Sequence, residues 1–534
     1  MTIRETVMDV IERHSDVTFL IDAETRREIT YGEFHVRACA LAGELRGMGL
    51  RKGDRVGVMM PNSCELAVLY FGCMYLGAVI VPINRALSKS EVHFILSSCK
   101  PALVVADPSC SDAVKAMHSS VVQLSSETSH LEAVEPAARA IETPEAGLFV
   151  PFTESTPDDL VLIMYTSGTT AKPKGLAHRI GSMFRNAMAF AKTKRIDRET
   201  RFYLTLSMAY MGGFYNLLVL PFLCGASVVV DRVFDARSSL HFWEKARSNG
   251  VNALWFAPTV MSILLRMDRG RVGEEFCRSS VRHAFVGFAP LPVKVKHEFE
   301  DRYGVRVIEN YGLSETLFVT ARSSNVRDAG SGYVGEPLPG IQLRIVNSEE
   351  ESVPPCESGE VQILTPDLMA GYLDNLGNLV GIDSSTWFAT GDVGHLDATG
   401  SLFITGRKKD LIIRGGVNVS PASIEEVLVQ ASGVADAAVV SIPHELYGED
   451  VVAVLKLEFG VELESILPAL ISHAKQNLAQ HQQPARYMAI DEFPRTSSGK
   501  VQKARIRELV AEKLQIGSRP VVSEQPAEGA AVQG

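Results

Sequence analysis

Helix-like and strand-like patterns of hydrophobic residues alternate along the first four hundred residues of this chain. The amphipathic stretch YGEFHVRACALAGELRGMG, from residue 31, precedes the apolar run DRVGVMM, and the stretch SEVHFILSSCK precedes PALVVAD. The rhythm returns with the apolar runs SVVV, NALWFAP, HAFVGFAP and VRVIEN. Helices that alternate with short buried strands are typical of a parallel sheet with crossover helices. We therefore expect stacked α/β sheets over this part of the chain.

Two long uncharged runs, residues 66–84 and 202–230, are candidates for membrane spans by their length. Glycine and proline interrupt both runs, and each ends in a β-branched cluster, AVIV in the first and SVVV in the second. This pattern is typical of a buried helix followed by a buried strand. We therefore expect no membrane span.

The pattern changes after Gly406. A basic segment, GRKKD, leads into a predicted strand, LIIRGGVNVS, a helix that begins at Pro421, and two strands with the sequences AAVVSIP and VVAVLKLE. These elements predict a small α+β domain of about a hundred residues. The end of the chain is rich in Pro, Gly and Ala without periodicity, which predicts a disordered tail. The expected division is an N-terminal domain at residues 1–408, a C-terminal domain at 409–516 and a tail at 517–534.

The composition of the chain indicates which kinds of binding partner and which cellular compartment to expect. Hydrophobic residues make up 46% of the chain and charged residues 22%, which is ordinary for a globular enzyme. The formal net charge of -10 argues against a nucleic-acid partner and means that an anionic ligand needs local donors. The eight cysteines show no C-x-x-C spacing, and the N-terminus lacks the apolar stretch of a signal peptide. We therefore expect a reduced, cytoplasmic protein.

The segment YTSGTTAKPKG, residues 165–175, follows the apolar run LVLIM directly and has the composition of a phosphate-binding loop. Backbone N–H groups and small hydroxyls in a strand-exit loop donate to phosphate oxygens, and a lysine adds positive charge. The candidate phosphate ligands are Thr166, Ser167, Gly168, Thr169, Thr170 and Lys174. No Ser or Thr follows the lysine as in a G-x-x-x-x-G-K-[ST] loop, and a flexible surface loop is the alternative interpretation.

Six segments occur in the order found in the acyl-adenylate-forming superfamily, which this chain resembles from Thr30 to about Glu508. They are YTSGTTAKPKG at residues 165–175, VGFAP at 286–290, NYGLSET at 310–316, TGD at 390–392, GRKKDLIIRGG at 406–416 and PRTSSGK at 494–500. The superfamily comprises acyl-CoA synthetases, aryl-CoA ligases, luciferase-like enzymes and peptide-synthetase adenylation domains, and the chain looks most like a freestanding acyl-CoA synthetase. The resemblance implies a large N-terminal domain of stacked α/β sheets with a barrel-like subdomain, followed by a small mobile α+β C-terminal domain.

The resemblance also implies nucleotide contacts. Tyr311 matches the ring that stacks on adenine, with Asn310 beside it for the edge of the base. Glu315 matches the carboxylate that holds the Mg²⁺ ion bridging the phosphates, and Thr316 matches a donor to the α-phosphate. Asp392 matches the residue that accepts from both ribose hydroxyls. The remaining matched positions are Gly287, Ala289, Pro290 and Gly312, where the backbone approaches the nucleotide, and Arg407, a second ribose contact.

The resemblance implies a two-step catalytic cycle in which two lysines have separate roles. Lys500 matches the lysine that reaches the carboxylate and the α-phosphate, where a cation lowers the barrier to the meeting of two anions. Lys409 matches the hinge about which the small domain rotates before the second step. Rotation would bring Arg414, Gly415 and Gly416 to the channel for the pantetheine arm of coenzyme A, where glycines leave room for a narrow chain.

The acid-binding pocket is expected around the segment MAYMGGF. Its predicted wall is apolar and partly small, and consists of Tyr210, Met211, Gly212, Gly213, Phe214, Phe288 and Leu317. A hydrophobic acid of medium or larger size is therefore expected rather than acetate. ATP, Mg²⁺ and coenzyme A are the implied cofactors. A covalent enzyme intermediate and a zinc site are not expected, because the motifs lack a Ser/His/Asp set and metal-spaced His and Cys residues.

Several alternatives stay open. Ala171 stands where the superfamily usually places Gly or Ser, so one alternative is a half-enzyme that uses acyl-AMP made by a partner enzyme. Transfer to a carrier protein is a second, although a chain with no appended carrier domain favours coenzyme A. A luciferase-like monooxygenase would share every motif, and a homodimer is also compatible with the sequence. A nucleotide-binding sensor is disfavoured, since it would need neither Lys500 nor Glu315.

Overall fold

The structure, a computed structural model, describes residues 2–118, 120–124, 131–133, 150–166, 173–322, 330, 332–495 and 501–515. The predicted tail lies outside these residues, as do Ser167, Gly168, Thr169, Thr170, Ala171 and Lys500. None of the helices in the described part of the chain is both long and apolar enough to cross a membrane.

The α-helices surround the sheets of the large N-terminal part and complete the small C-terminal part. They are α1 (Ile3–His14), α2 (Tyr31–Gly47), α3 (Cys64–Leu76), α4 (Lys89–Cys99), α5 (Pro108–Lys115), α6 (Ile180–Lys194), α7 (Leu220–Leu223), α8 (Phe242–Ser248), α9 (Pro258–Met267), α10 (Val272–Ser280), α11 (Val293–Tyr303), α12 (Pro421–Val429), α13 (Leu463–Asn477) and α14 (Lys503–Gln515).

The strands in the first half of the chain are β1 (Thr18–Asp22), β2 (Glu28–Thr30), β3 (Arg55–Met59), β4 (Val79–Pro82), β5 (Leu103–Ala106), β6 (Val121–Leu124), β7 (Leu131–Ala133), β8 (Leu160–Thr166), β9 (Lys174–Arg179), β10 (Arg201–Leu204), β11 (Ser227–Val230) and β12 (Ala253–Phe256). Those in the second half are β13 (His283–Val286), β14 (Val307–Leu313), β15 (Leu317–Ala321), β16 (Tyr333–Pro337), β17 (Gln342–Val346), β18 (Gly359–Leu364), β19 (Gly371–Leu373), β20 (Leu379–Gly381), β21 (Phe388–Leu396), β22 (Leu402–Arg407), β23 (Ile412–Arg414), β24 (Val417–Val419), β25 (Val434–His444), β26 (Gly448–Leu457) and β27 (Arg486–Ala489).

The large part contains two sheets, of 13 and nine strands within the described residues. The order of the long sheet is β17-β18-β21-β22-β16-β15-β14-β13-β12-β10-β11-β1-β2, and that of the second sheet is β20-β19-β9-β8-β4-β3-β5-β6-β7. From β11 to β14 the long sheet is parallel, and from β14 to β17 it is antiparallel. The antiparallel half of this continuous sheet lies in the part of the chain where a barrel-like subdomain is expected, and β14 belongs to both halves.

The small part has a core of its own. Its strands form a sheet in the order β24-β23-β26-β25, with β27 paired to β26, and α12, α13 and α14 belong to the same part of the chain. Buried residues up to Leu402 form the cores of the large part, whereas the cores of the small part begin at Ile412. The predicted boundary between Lys408 and Lys409 falls in the segment between these cores and stays a prediction.

Local sequence signals explain where several helices begin and end. Thr30 caps α2 in a capping box with Glu33, which satisfies backbone N–H groups that have no partner within the helix. α3 ends at Gly77, whose positive φ of 81° suits a residue without a Cβ. Pro421 opens α12, as the sequence predicts, because its fixed φ matches the first helical position and its missing N–H is not needed there.

The apolar run at residues 202–230 is more complex than the predicted helix and strand. It contains β10, a π-helix at Gly212–Val219, the short α7 and β11. The π-helix begins where Gly213 packs on backbone: a Cβ on this residue would lie 2.3 Å from the carbonyl oxygen of Ser207. Hydrophobic periodicity alone does not distinguish a π-helix from an α-helix in so uniformly apolar a run.

Candidate functional site

A tyrosine, a carboxylate and a guanidinium meet where the long sheet changes from parallel to antiparallel. The Tyr311 hydroxyl, on β14, donates to Asp392 Oδ2 at 2.7 Å, and Arg407 Nε lies 2.7 Å from Asp392 Oδ1. The register of β21 and β22 places Asp392 opposite Arg407. Burial raises the pKa of Tyr311 well above its ordinary value, and the Asp392 carboxylate raises it further, so the phenol remains a donor. Three residues that the sequence assigns to the nucleotide are thus in direct contact.

Asn310 precedes this tyrosine and presents an unpaired acceptor. Its Oδ1 is buried and has no hydrogen-bond partner among the described residues. A buried acceptor without a partner costs free energy unless a ligand supplies a donor, and the amino group of adenine is such a donor. A Cβ on Gly287 would lie 3.1 Å from Asn310 Nδ2, so the glycine leaves room beside the amide. The predicted contact with the edge of the base fits this arrangement.

The turn that follows β14 carries Glu315 and Thr316. The Glu315 carbonyl accepts from the backbone N–H of Met369 at 2.8 Å. Thr316 is buried, and its hydroxyl accepts from the backbone N–H of Leu313 at 3.2 Å, so this side chain stabilises its own turn. A Cβ on Gly312 would lie 2.1 Å from the Leu317 carbonyl oxygen, which explains a glycine there. The predicted contact of Thr316 with the α-phosphate stays a prediction.

His178 joins the second sheet to the same turn. It lies on β9, is fully buried, and places Nε2 2.7 Å from the Ser314 carbonyl oxygen. Burial lowers its pKa to about 4, so the imidazole is neutral near pH 7. Because a carbonyl oxygen can only accept, Nε2 carries the proton. Nδ1 is buried without a hydrogen-bond partner in the described part of the chain.

The two ends of the predicted phosphate loop lie side by side. Thr166 ends β8, Lys174 begins β9, and the register of this antiparallel pair places them opposite each other. Lys174 is exposed, and its Nζ lies 5.8 Å from the centre of the Tyr372 ring. The Tyr372 hydroxyl in turn donates to Glu315 Oε1 at 2.9 Å. Tyr372, which the sequence interpretation missed, therefore links Lys174 to the Glu315 side chain.

The predicted acid pocket is divided between surface and core. Tyr210, Met211 and Phe288 are partly buried, and the Tyr210 hydroxyl accepts from Asn84 Nδ2 at 2.9 Å. A Cβ on Gly212 would lie 2.8 Å from Phe288 Cζ, so the phenylalanine ring covers this glycine. Phe288 has a positive φ of 75°, which is strained for a bulky side chain.

Three other predicted pocket residues lie deeper. Phe214 packs edge-on against Tyr70 in the main core, Leu317 is buried in the same core, and Gly213 packs against Ser207. Ala289 and Pro290 follow Phe288 in the loop after β13. Contact of any of these residues with an acid or a nucleotide stays a prediction.

The predicted thiol-channel loop lies between β23 and β24 of the small part, so the single strand predicted for LIIRGGVNVS is wrong: the chain reverses at Gly415 and Gly416 and forms an antiparallel pair. Gly415 and Gly416 both have positive φ, and a Cβ on Gly416 would meet nothing within 4 Å. Arg414 points into its own domain: Nε lies 2.9 Å from Asp450 Oδ1, and Nη1 donates to the Gln483 carbonyl oxygen at 2.9 Å. Its guanidinium therefore supports the loop, and its predicted contact with coenzyme A stays a prediction.

The structure describes the predicted hinge residue but not the predicted catalytic lysine. Lys409 is exposed in a 3-10 helix at Lys408–Asp410, directly after β22. Lys500 lies outside the described residues, and the described residues on either side of that gap, Arg495 and Val501, form an antiparallel bridge. The roles of both lysines stay predictions.

Glu315 fits Mg²⁺ by its chemistry. A carboxylate is the hard oxygen ligand that Mg²⁺ prefers, and in nucleotide sites this ion takes most of its other ligands from phosphates and water. No group of three or more His, Cys, Asp or Glu residues that could hold a metal occurs in the part of the chain that the structure describes. A single protein carboxylate beside a phosphate loop is therefore consistent with a nucleotide-bound ion.

Comparisons with known proteins show the family to which this chain belongs. The family described as AMP-binding enzyme matches residues 7–373, and the AMP-binding enzyme C-terminal domain matches residues 423–500. The sulfoacetate–CoA ligase of Cupriavidus necator is 29% identical over 503 residues, which cover 92% of this chain and 94% of the relative. The indoleacetate–CoA ligase of Aromatoleum aromaticum is 29% identical over 500 residues, covering 91% and 94%.

Among solved structures, ATP-bound MatB from Rhodopseudomonas palustris matches with a TM-score of 0.85 and 26% identity, over 96% of this chain and 100% of that one. These matches confirm the predicted mixed α/β class, with a large N-terminal domain and a smaller C-terminal domain.

Proposed function

The chain belongs to the AMP-binding enzyme family and is an ATP-dependent, AMP-forming acid–CoA ligase, and we propose that its acid is hydrophobic and of medium or larger size. The observation that carries the activation chemistry is the Tyr311–Asp392–Arg407 contact beside the Glu315 turn. In this proposal Tyr311 is the platform for adenine and Asp392 is the acceptor for the ribose hydroxyls.

In the first proposed step, a carboxylate oxygen of the acid attacks the α-phosphorus of ATP. A phosphorus–oxygen bond forms, the bond to pyrophosphate breaks, and acyl-AMP remains. Asp392 orients the ribose, Tyr311 stacks on the base, and Lys500 offsets the charge of the two approaching anions. Mg²⁺ held by Glu315 would supply charge neutralisation on the phosphates.

In the second proposed step, the thiol sulfur of coenzyme A attacks the acyl carbon. The carbon–sulfur bond forms, AMP leaves with the former carboxylate oxygen, and the thiol proton passes to solvent. Gly415 and Gly416 are proposed to border the pantetheine arm after rotation about Lys409, because their lack of side chains leaves space for it. In the same proposal, residues 409–516 form the mobile domain, which rotates against the N-terminal domain at residues 1–408.

The size and polarity of the acid are inferred from the pocket wall. Met211 and Phe288 present apolar groups, and Phe288 covers Gly212 where a larger residue would not fit. The relatives named above act on acids as different as sulfoacetate and indoleacetate, so relationship alone does not select one. An apolar wall favours the more hydrophobic of these classes.

A panel of acids tests this proposal. Purified protein is incubated with Mg·ATP, coenzyme A and straight-chain, branched, aromatic and sulfonated acids, and AMP and thioester are both measured. We expect the highest kcat/KM with hydrophobic acids of about six carbons or more. Preference for acetate or for a sulfonated acid would contradict the proposed substrate class.

The same assay separates the other acceptors. Thioester on a carrier protein in preference to coenzyme A would assign a carrier-loading role, and oxygen consumption would assign a monooxygenase. Failure to release pyrophosphate from ATP, together with rapid use of synthetic acyl-AMP, would assign the half-enzyme.

A further inference from the structure

Tyr372 lies where the second sheet approaches the Glu315 turn. It occupies the middle of β19, which pairs with β9 so that Tyr372 lies opposite Leu176. Its hydroxyl donates to Glu315 Oε1 at 2.9 Å, and its ring lies 5.8 Å from Lys174 Nζ. The Glu315 carboxylate therefore contacts the hydroxyl of Tyr372, and the Lys174 ammonium group lies near its ring.

The backbone of the Glu315 turn is already fixed by other contacts. His178 binds the Ser314 carbonyl, Met369 binds the Glu315 carbonyl, and Leu317 holds a positive φ of 59° at the end of the turn. The Glu315 side chain, in contrast, has three rotatable bonds between the backbone and the carboxylate. A hydrogen bond from a rigid phenol selects one of its rotamers.

The donor is suited to this task. β19 is held by pairing on both sides, with β9 and with β20, so the ring has a fixed origin. A phenol hydroxyl can donate, whereas a carboxylate can only accept, so the direction of the hydrogen bond from Tyr372 to Glu315 is fixed by the two groups.

We propose that Tyr372 is a positioning residue for acyl-adenylate formation, which aims the Glu315 carboxylate at the metal–nucleotide complex and borders Lys174 on the phosphate side. The inference rests on the proposed function, because the roles of Glu315 and Lys174 do. Groups that hold a metal ligand in position commonly affect metal affinity or activity by 10- to 100-fold.

Tyr372→Phe is the direct test, since it removes the hydroxyl and keeps the ring. We expect the concentration of Mg²⁺ that half-saturates acid-dependent pyrophosphate release to rise about tenfold, while thioester formation from synthetic acyl-AMP and coenzyme A is unchanged. Tyr303→Phe is the matched control, because its hydroxyl also donates to a carboxylate, that of Asp268, outside the proposed site. An unchanged Mg²⁺ requirement in Tyr372→Phe, or an equal fall in both half-reactions, would overturn the proposal.

A binding measurement tests the same idea without turnover. Manganese, as a magnetic substitute for Mg²⁺, is titrated by electron paramagnetic resonance into protein with a non-hydrolysable ATP analogue. We expect weaker manganese binding in Tyr372→Phe, no change in Tyr303→Phe, and no further effect of Tyr372→Phe in a Glu315→Gln background.

If the effects of Tyr372→Phe and Glu315→Gln on manganese affinity are additive in the double variant, Tyr372 does not act through Glu315 and the proposal is refuted. The proposal is also refuted if circular dichroism shows that Tyr372→Phe is unfolded, because a positioning hydroxyl is dispensable for folding. This titration needs no acid. It therefore still judges Tyr372 if the wild-type protein fails to activate any acid, a result that would refute the proposed function instead.

Discussion

Replacing Asp392 by asparagine should have two separable effects, one on folding and one on ATP. The carboxylate is 3% exposed and accepts from Tyr311 and from Arg407, both at 2.7 Å. Asparagine keeps one acceptor oxygen but turns an N–H₂ group toward the other donor. Losing a charge-assisted hydrogen bond costs about 1.5–3 kcal/mol. The contribution of the Arg407–Asp392 ion pair to stability is at the low end of this range, because the Arg407 side chain is 42% exposed and solvent screens its charge. We expect the free energy of unfolding to fall by about 2 kcal/mol.

The effect on ATP follows from the ribose. Asparagine can accept from one ribose hydroxyl and donate to the other, so the loss is the added strength of a charged acceptor, about 2 kcal/mol, or about 30-fold in affinity. ATP affinity is measured by calorimetry and unfolding by urea titration. Asp231→Asn is the control, because Asp231 is also buried and accepts from a tyrosine hydroxyl, that of Tyr203, and from Lys245. An ATP affinity that changes less than about threefold in Asp392→Asn, well below that 30-fold expectation, would refute the ribose assignment.

Three further predictions address the catalytic cycle and the buried histidine. Lys500→Ala should abolish acid-dependent pyrophosphate release but spare thioester formation from synthetic acyl-AMP, because its charge serves only the first step; equal loss of both activities would remove it from that role. Lys409→Pro should do the reverse, since a fixed φ blocks rotation, and a normal overall rate would place the hinge elsewhere. Burial lowers the pKa of His178 to about 4, so between pH 6.5 and 4 this residue is protonated in the unfolded protein but neutral in the folded protein. The free energy of unfolding should therefore fall as the pH drops from 6.5 to 4, by about 1.4 kcal/mol per pH unit from this residue. His178→Gln should reduce that slope in urea titrations between pH 6.5 and 4, and an unchanged slope would contradict the burial argument.

The sequence predicts local elements well where the signal is local. The apolar run LVLIM predicts a strand directly before the phosphate loop, and proline predicts the start of a helix at Pro421; the structure has β8 and α12 at these places, and β8 extends two residues beyond the run to Thr166. Both predictions depend on neighbours in the chain and on the conformations that they allow. The resemblance adds Asp392 and Arg407 to the predicted nucleotide site. The register of β21 and β22 explains why these two residues, 15 positions apart in the chain, are in contact.

Contacts between distant segments are not visible in the sequence pattern. Tyr372 and Glu315 are 57 residues apart, and their contact depends on how the second sheet meets the turn after β14. His178 and Ser314 are 136 residues apart and meet for the same reason. A tyrosine in a short strand carries no spacing signal that marks it as a partner of a carboxylate.

The most direct measurement of the central claim follows an oxygen atom. An acid that the protein accepts is labelled with ¹⁸O in both carboxylate oxygens and converted with Mg·ATP and coenzyme A, and the AMP is analysed by mass spectrometry. Attack of the carboxylate on the α-phosphorus predicts one ¹⁸O in each AMP released and none in pyrophosphate. Unlabelled AMP, or ADP accompanied by labelled phosphate, would show that the acid is activated without an acyl-adenylate and would contradict the account.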